Sequence, residues 1–134
     1  MRKYLFVMVL SVLAALSCAG TVQDQNPLLV GEFDTPFGVP PFEQIKEEHY
    51  MPAFEEGIRL HEEEVAAIVE NPDPPTFENT IEAMEASGRL LDRVSSIFFS
   101  LTSANTNDRM QEIAREVGPM LAAHGDNIAL NEGL

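Results

Sequence analysis

From about Glu47 the apolar residues of the chain recur at spacings of three and four. Tyr50, Phe54, Ile58, His61, Val65, Ile68 and Val69 form one stripe, and Glu55, Glu56, Glu62, Glu63 and Glu64 fall on the opposite side. That is the period of an amphipathic α-helix, with Pro52 acceptable in its first turn. The helix should stop near Asn71, because "NPDPP" supplies a polar cap residue and a run of prolines. Thr76 then reads as the N-cap of a second helix, with Glu78 in its first turn, well placed against the dipole. Its stripe is Phe77, Ile81, Met84, Gly88, Leu91, Val94, Phe98 and Leu101. A glycine on the buried side costs about 1 kcal/mol against alanine, so Gly88 predicts the close approach of another helix. Glu85 and Arg89 stand four apart in the favoured order for a surface ion pair. "TSANTND", residues 102–108, ends that helix and opens a third with Thr106 or Asn107 as N-cap. Met110, Ile113, Val117, Leu121 and His124 continue a stripe across Gly118-Pro119, where a kink or break is expected. Short connections favour antiparallel neighbours, so the expected class is all-α, built from antiparallel amphipathic helices.

Ahead of the helices, residues 19–44 hold four prolines, three glycines and no sustained period. They read as an extended tether and then a segment lying on the helices, with Leu28, Leu29, Phe33, Phe37 and Phe42 as packing residues. The first residues read differently again. Arg2 and Lys3 precede an apolar stretch, residues 5–16, interrupted only by Ser11, and then "ALSCAG". The stretch is too short to span a bilayer and reads as a signal peptide. Cys18, the single cysteine, follows Ala15-Leu16-Ser17 in a lipobox-like setting and is the expected lipid attachment site; cleavage by an ordinary signal peptidase nearby is the alternative. The expected organisation is a signal peptide over 1–17, a tether and extended packing segment over 18–45, and an incomplete helical domain over 46–134. The expected address is the periplasmic side of a bacterial envelope, with the chain held to the membrane by its lipid.

Composition narrows the partners. Among 134 residues, 22 are Asp or Glu against 8 Lys or Arg, a formal net charge of −14. Such a surface repels phosphate backbones, so no nucleic-acid partner is expected. With one cysteine, no disulfide can form within the chain.

The stretch "HEEEV", residues 61–65, opens like the H-E-x-x-H of a zinc peptidase and then fails. Two histidines four apart on one helix face would hold zinc, with the glutamate as general base. Val65 occupies the second histidine's place, and one histidine beside valine supplies one ligand where three or four are needed. His61 is therefore read as a partly buried histidine in a helix seam. His49 and His124 each stand alone in sequence, with no partner at ligand spacing, and are read as packing or surface residues. The glutamate runs lack the alternating oxygen loop that calcium requires. No nucleophile elbow and no phosphate-binding glycine loop is present. The residues themselves thus give no catalytic and no metal-binding position.

Three segments carry a resemblance: "FDTPFGVPPFEQIKEEHYMPAFEEGI", "NPDPPTFENTIEAMEASGRLLDRVSSIFFSLTSANTND" and "REVGPMLAAHGDNIALNEGL". In order and spacing they resemble the start of bacterial peptidyl-dipeptidases and oligopeptidase A-like proteins, members of the thimet-oligopeptidase-like family of zinc metallopeptidases. The resemblance covers nearly all of residues 27–134; Glu47 departs from it, standing where relatives often carry proline. It implies an almost wholly helical fold enclosing a channel, oligopeptide substrates, and zinc held by a downstream H-E-x-x-H and a later glutamate. None of those residues maps onto a position here, so zinc would be a cofactor of the full-length protein, with its ligands outside this chain. The leading expectation is the N-terminal fragment of an exported, zinc-dependent peptidyl-dipeptidase. It would be inactive alone, contribute channel wall, and have the missing C-terminal catalytic portion as its partner. The rival expectation is a stand-alone helical envelope lipoprotein acting as an interaction module, and a weaker third is an acidic metal-sequestering envelope protein.

Overall fold

The computed structural model describes residues 26–134. The expected signal peptide, the first part of the tether and Cys18 lie outside the described residues. Four helices follow the N-terminal segment: α1 (Tyr50–Val69), α2 (Ala83–Ala86), α3 (Arg89–Ala104) and α4 (Asp108–Ala129). Among the described residues the regular structure is all helical, as the patterning requires.

Helix α1 is entered through a 3-10 turn, Glu47–His49, and ends at Val69, with Asn71 accepting from the amide of Asp73 in a short turn. It is the helix against which both α3 and α4 pack. Tyr50, Ala53, Phe54 and Val65 are buried along its stripe. From α3 come Leu91, Val94, Ile97 and Phe98, and from α4 Met110, Ile113 and Val117. Phe98 is the aromatic centre, edge-on to Tyr50 at 4.9 Å and to Phe54 at 5.4 Å between ring centroids. Such edge-to-face pairs add to the gain from burial alone.

The caps fall where the sequence put them. Thr76 accepts from the amide of Asn79 while the Asn79 side chain accepts from Thr76, a reciprocal box. Asn107 caps α4 by accepting from Met110, which decides between the two expected residues.

Three expectations fail. The second helix is not continuous: a π-helical turn (Phe77–Glu82) leads into α2, and the chain breaks at Ser87 and Gly88 before α3. Gly88 has φ +71, a left-handed conformation that glycine adopts without a Cβ clash. The break shifts the phase of the stripe, so Phe77 and Ile81 are 62% and 50% exposed while Leu91, Val94 and Phe98 reach the core. Glu85 and Arg89 end on opposite sides of it and form no ion pair. Conversely, α4 runs unbroken through Pro119. Gly118 and Pro119 sit on its exposed side, where water can satisfy the carbonyl that proline leaves unpaired.

The third failure concerns the N-terminal segment. Leu28 is fully buried and Leu29 and Phe33 pack on the core, but Phe37 is wholly exposed and Phe42 about half exposed. The strap is held by Leu28, Leu29 and Phe33 together with polar contacts, and not by a row of aromatics. The Arg93 guanidinium donates to the carbonyls of Leu28, Val30 and Gly31 and lies 5.0 Å above the Phe33 ring. Asn26 fastens the other end, donating to the carbonyl of His49 and accepting from the amide of Leu28.

A lysine has one donor head and cannot reproduce that fork. Arg93→Lys is expected to loosen residues 26–33 selectively. Their amides should exchange faster with deuterium while helicity by circular dichroism stays within error of the parent.

Candidate functional site

The "HEEEV" stretch is placed on the fourth and fifth turns of α1, facing both the α2–α3 break and the C-terminal half of α4. Four of its five residues have a structural partner. Glu63 pairs with Arg59 one turn earlier, on the exposed face. Glu64 accepts the amide of Gly88 at 2.7 Å, placing a carboxylate at the N-terminal end of α3, where the helix dipole favours it. Val65 is buried at 4% exposure in the α1 stripe. His61 reaches in two directions: Nε2 lies 3.1 Å from Ser87 Oγ, and Nδ1 lies 3.0 Å from Nε2 of His124.

His124 is therefore not isolated. Sixty-three residues of sequence separate it from His61, but α4 packs back along α1 and brings the rings into an edge-on contact, 4.9 Å between centroids. The remaining nitrogen of His124, Nδ1, is buried without a hydrogen-bond partner, and the nearest carboxylate oxygen, on Glu62, is 3.7 Å away. That separation exceeds hydrogen-bonding distance. His49 stands apart from this cluster: its Nδ1 accepts from the amide of Lys46 in the turn before α1.

A serine, a histidine and a second ring in a row resemble a nucleophile with its base, and the contacts of the hydroxyl argue against it. The Ser87 hydroxyl donates to the carbonyl of Met84 at 2.7 Å. That contact is shorter than the 3.1 Å to His61 and competes with the histidine for the one hydroxyl proton. Ser87 is also 9% exposed, out of reach of a substrate carbonyl.

Zinc does not fit either. The two facing imidazole nitrogens are bonded to one another, and Glu62 lies near the opposite nitrogen of His124, so three donors do not converge on one point. Among the described residues no group of three or more His, Cys, Asp or Glu side chains is placed to hold a metal ion. The seam is a chain of hydrogen bonds tying α4, α1 and the α2–α3 break together.

Burial, and next the neighbouring His124, push the His61 ring below the usual imidazole range, against the smaller opposing pull of Glu64 and Asp92. Sequence reasoning placed His61 correctly in a seam but missed His124, Ser87 and Glu64 as its surroundings. The available signal was that both histidines sit on apolar stripes of helices predicted to pack together.

Comparison with known proteins adds what the geometry lacks. No family model matches the chain. The dipeptidyl carboxypeptidase of Salmonella typhimurium is 46% identical over 109 residues, 81% of this chain and 16% of that protein. The Escherichia coli dipeptidyl carboxypeptidase is 46% identical over 106 residues, 79% of this chain and 15% of its own length. Oligopeptidase A of Escherichia coli is 30% identical over 109 residues, again 81% of this chain and 15% of the relative. The chain is similar to the N-terminal part of these dipeptidyl carboxypeptidases. It spans about 16% of the length of those relatives. The resemblance read from "PPFEQIK", "PPTFENTIEA" and "LTSANTND" thus holds across the helices. In this chain the "HEEEV" stretch is helix-seam architecture.

Two outcomes test the seam. Gly88→Ala forces a side chain into left-handed backbone at about 1–2 kcal/mol, and its Cβ would stand 2.8 Å from the His61 ring. Urea denaturation should show a loss at least that large. The second concerns pH. His61 is harder to protonate folded than unfolded, so the unfolded chain binds the extra proton and its stabilisation is complete above the unfolded value of 6.5. It is lost progressively as the pH falls below that value. The thermal midpoint should therefore drop between about pH 7.5 and pH 5.5, and His61→Gln should flatten that dependence.

Proposed function

We propose that this chain is the N-terminal part of an exported zinc metallopeptidase that removes dipeptides from the C-terminus of oligopeptides. In this reading its helices form wall around the substrate channel and leave catalysis to residues outside the chain. The observation that carries the reading is the 46% identity to dipeptidyl carboxypeptidases across four-fifths of the chain. The absence of converging metal donors among the described residues is compatible with it, as is the exposure of Phe37, Phe77, Ile81 and Leu130. Oligopeptides are the substrates of the whole protein, and zinc its cofactor, bound elsewhere. Export and a lipid on Cys18 belong to the same proposal and rest on the N-terminal sequence.

A stand-alone helical lipoprotein is the competing reading, and the same exposed apolar residues would then serve a partner. Two measurements separate them. An antibody against residues 76–101 should detect a native product several times larger than this chain; a band no larger than the chain would favour the lipoprotein. The purified chain, with or without added zinc, should release no dipeptide from an N-blocked tripeptide. Chelator-sensitive release by the pure chain would overturn the division of labour proposed here.

A further inference from the structure

The segment ahead of α1 is pinned on both sides of one exposed loop. Phe33 packs on the core and against the Arg93 guanidinium, and Ile45 packs on the core again just before the helices. Between them, residues 34–44 carry three apolar side chains into solvent. Val39 and Phe42 are about half exposed and Phe37 is wholly exposed. The loop is braced from within. The Thr35 hydroxyl donates to the carbonyl of Val39, and the Gly38 amide donates to the carbonyl of Thr35 at 3.0 Å. Pro36, Pro40 and Pro41 each fix their own φ. At the tip Phe37 has φ 62 and ψ 16, and it is the only non-glycine residue with positive φ among the described residues. A bulky side chain is rarely found there, whereas glycine takes the same conformation without a Cβ clash. Strained residues of this kind collect at clamps and contact sites.

We propose that residues 34–44 form a preset plug, and that Phe37 seats in an apolar pocket with a basic rim on the part of the longer peptidase outside this chain. The proposal rests on the reading of this chain as the N-terminal part of such a protein. Three observations select that occupant. The matched residues make up 16% of the Salmonella typhimurium relative, so a protein of that kind offers a large surface besides these helices. The charged residues flanking the tip, Glu32, Asp34 and Glu43, are all exposed acids, which a basic rim complements. The same acids, on a chain of net charge −14, count against a second copy and against anionic lipid. An aromatic anchor already held in place also loses little freedom on docking.

The decisive comparison is between this chain and the longer native product. Phe37→Gly relieves the left-handed backbone, so the urea midpoint of the 134-residue chain should hold or rise. In the native product the same change removes the anchor, and the thermal midpoint should fall. Phe37→Cys reads cover directly. A maleimide, mapped to position 37 by mass spectrometry, should label the native product about tenfold more slowly than this chain.

Equal labelling of the two, or a native product whose midpoint does not fall with Phe37→Gly, overturns the plug and leaves the peptidase reading standing. An equal fall in the isolated chain does the same, because the contact would then lie within it. A native product no larger than this chain removes the peptidase reading and the plug with it. Protection of the isolated chain that grows with its own concentration would assign the tip to a second copy. Protection on adding neutral phosphatidylcholine vesicles would assign it to a membrane, and either result overturns the proposal.

Discussion

The structure depends on how closely α3 lies against α1. A Cβ on Gly57 would stand 3.1 Å from the Cα of Leu91, so a backbone atom, and not the end of a side chain, is what glycine admits. With the axes that near, Phe98 can insert its edge between Tyr50 and Phe54, and Val94 and Leu91 can bury completely or nearly so. α4 then closes the other side of α1 with Met110, Ile113 and Val117. Most helix stability in proteins comes from packing of this kind and little from intrinsic propensity. Glycine in a helix interior costs about 1 kcal/mol in isolation, and here the closer packing offsets it.

The helical period exposed the parts of this fold that depend on local chemistry. The α1 stripe, the Thr76 and Asn107 caps and the end of α1 near Asn71 all follow from side chains acting within a few residues of themselves. What stayed hidden depends on chain direction. A helical wheel drawn through Gly88 assumes an unbroken axis, and the left-handed residue there resets it, so Phe77 and Ile81 fall off the buried face. Pro119 misled in the opposite sense, because what proline costs a helix depends on whether the freed carbonyl faces solvent, which sequence does not state. Arg93 was silent for a similar reason: its carbonyl partners lie more than sixty residues away.

The candidate site was legible only in its negative half. "HEEEV" has valine, Val65, where a second zinc ligand would stand, and that much is read from the sequence alone. The positive content, a histidine pair sharing one hydrogen-bond chain with a serine at a helix break, could not be read from the spacing of either histidine. It requires two stripes to be aligned against each other, and the register between α1 and α4 is set by the core. Glutamates that looked like a uniform solvated face are in fact divided. Glu63 pairs along its own helix, Glu64 holds the start of α3, and Glu62 lies 3.7 Å from the His124 ring.

The fastening of Asn26 has a geometric consequence. Its side chain is locked to the carbonyl of His49, immediately before α1, so the folded part of the chain is fixed in place from that residue onward. A fully extended chain advances about 3.3–3.6 Å per residue, so the few residues between Cys18 and Asn26 can reach on the order of 30 Å at most. A lipid on Cys18 would therefore be a short leash. Asn26, and with it the start of α1, would then stay within roughly one bilayer's thickness of the membrane surface.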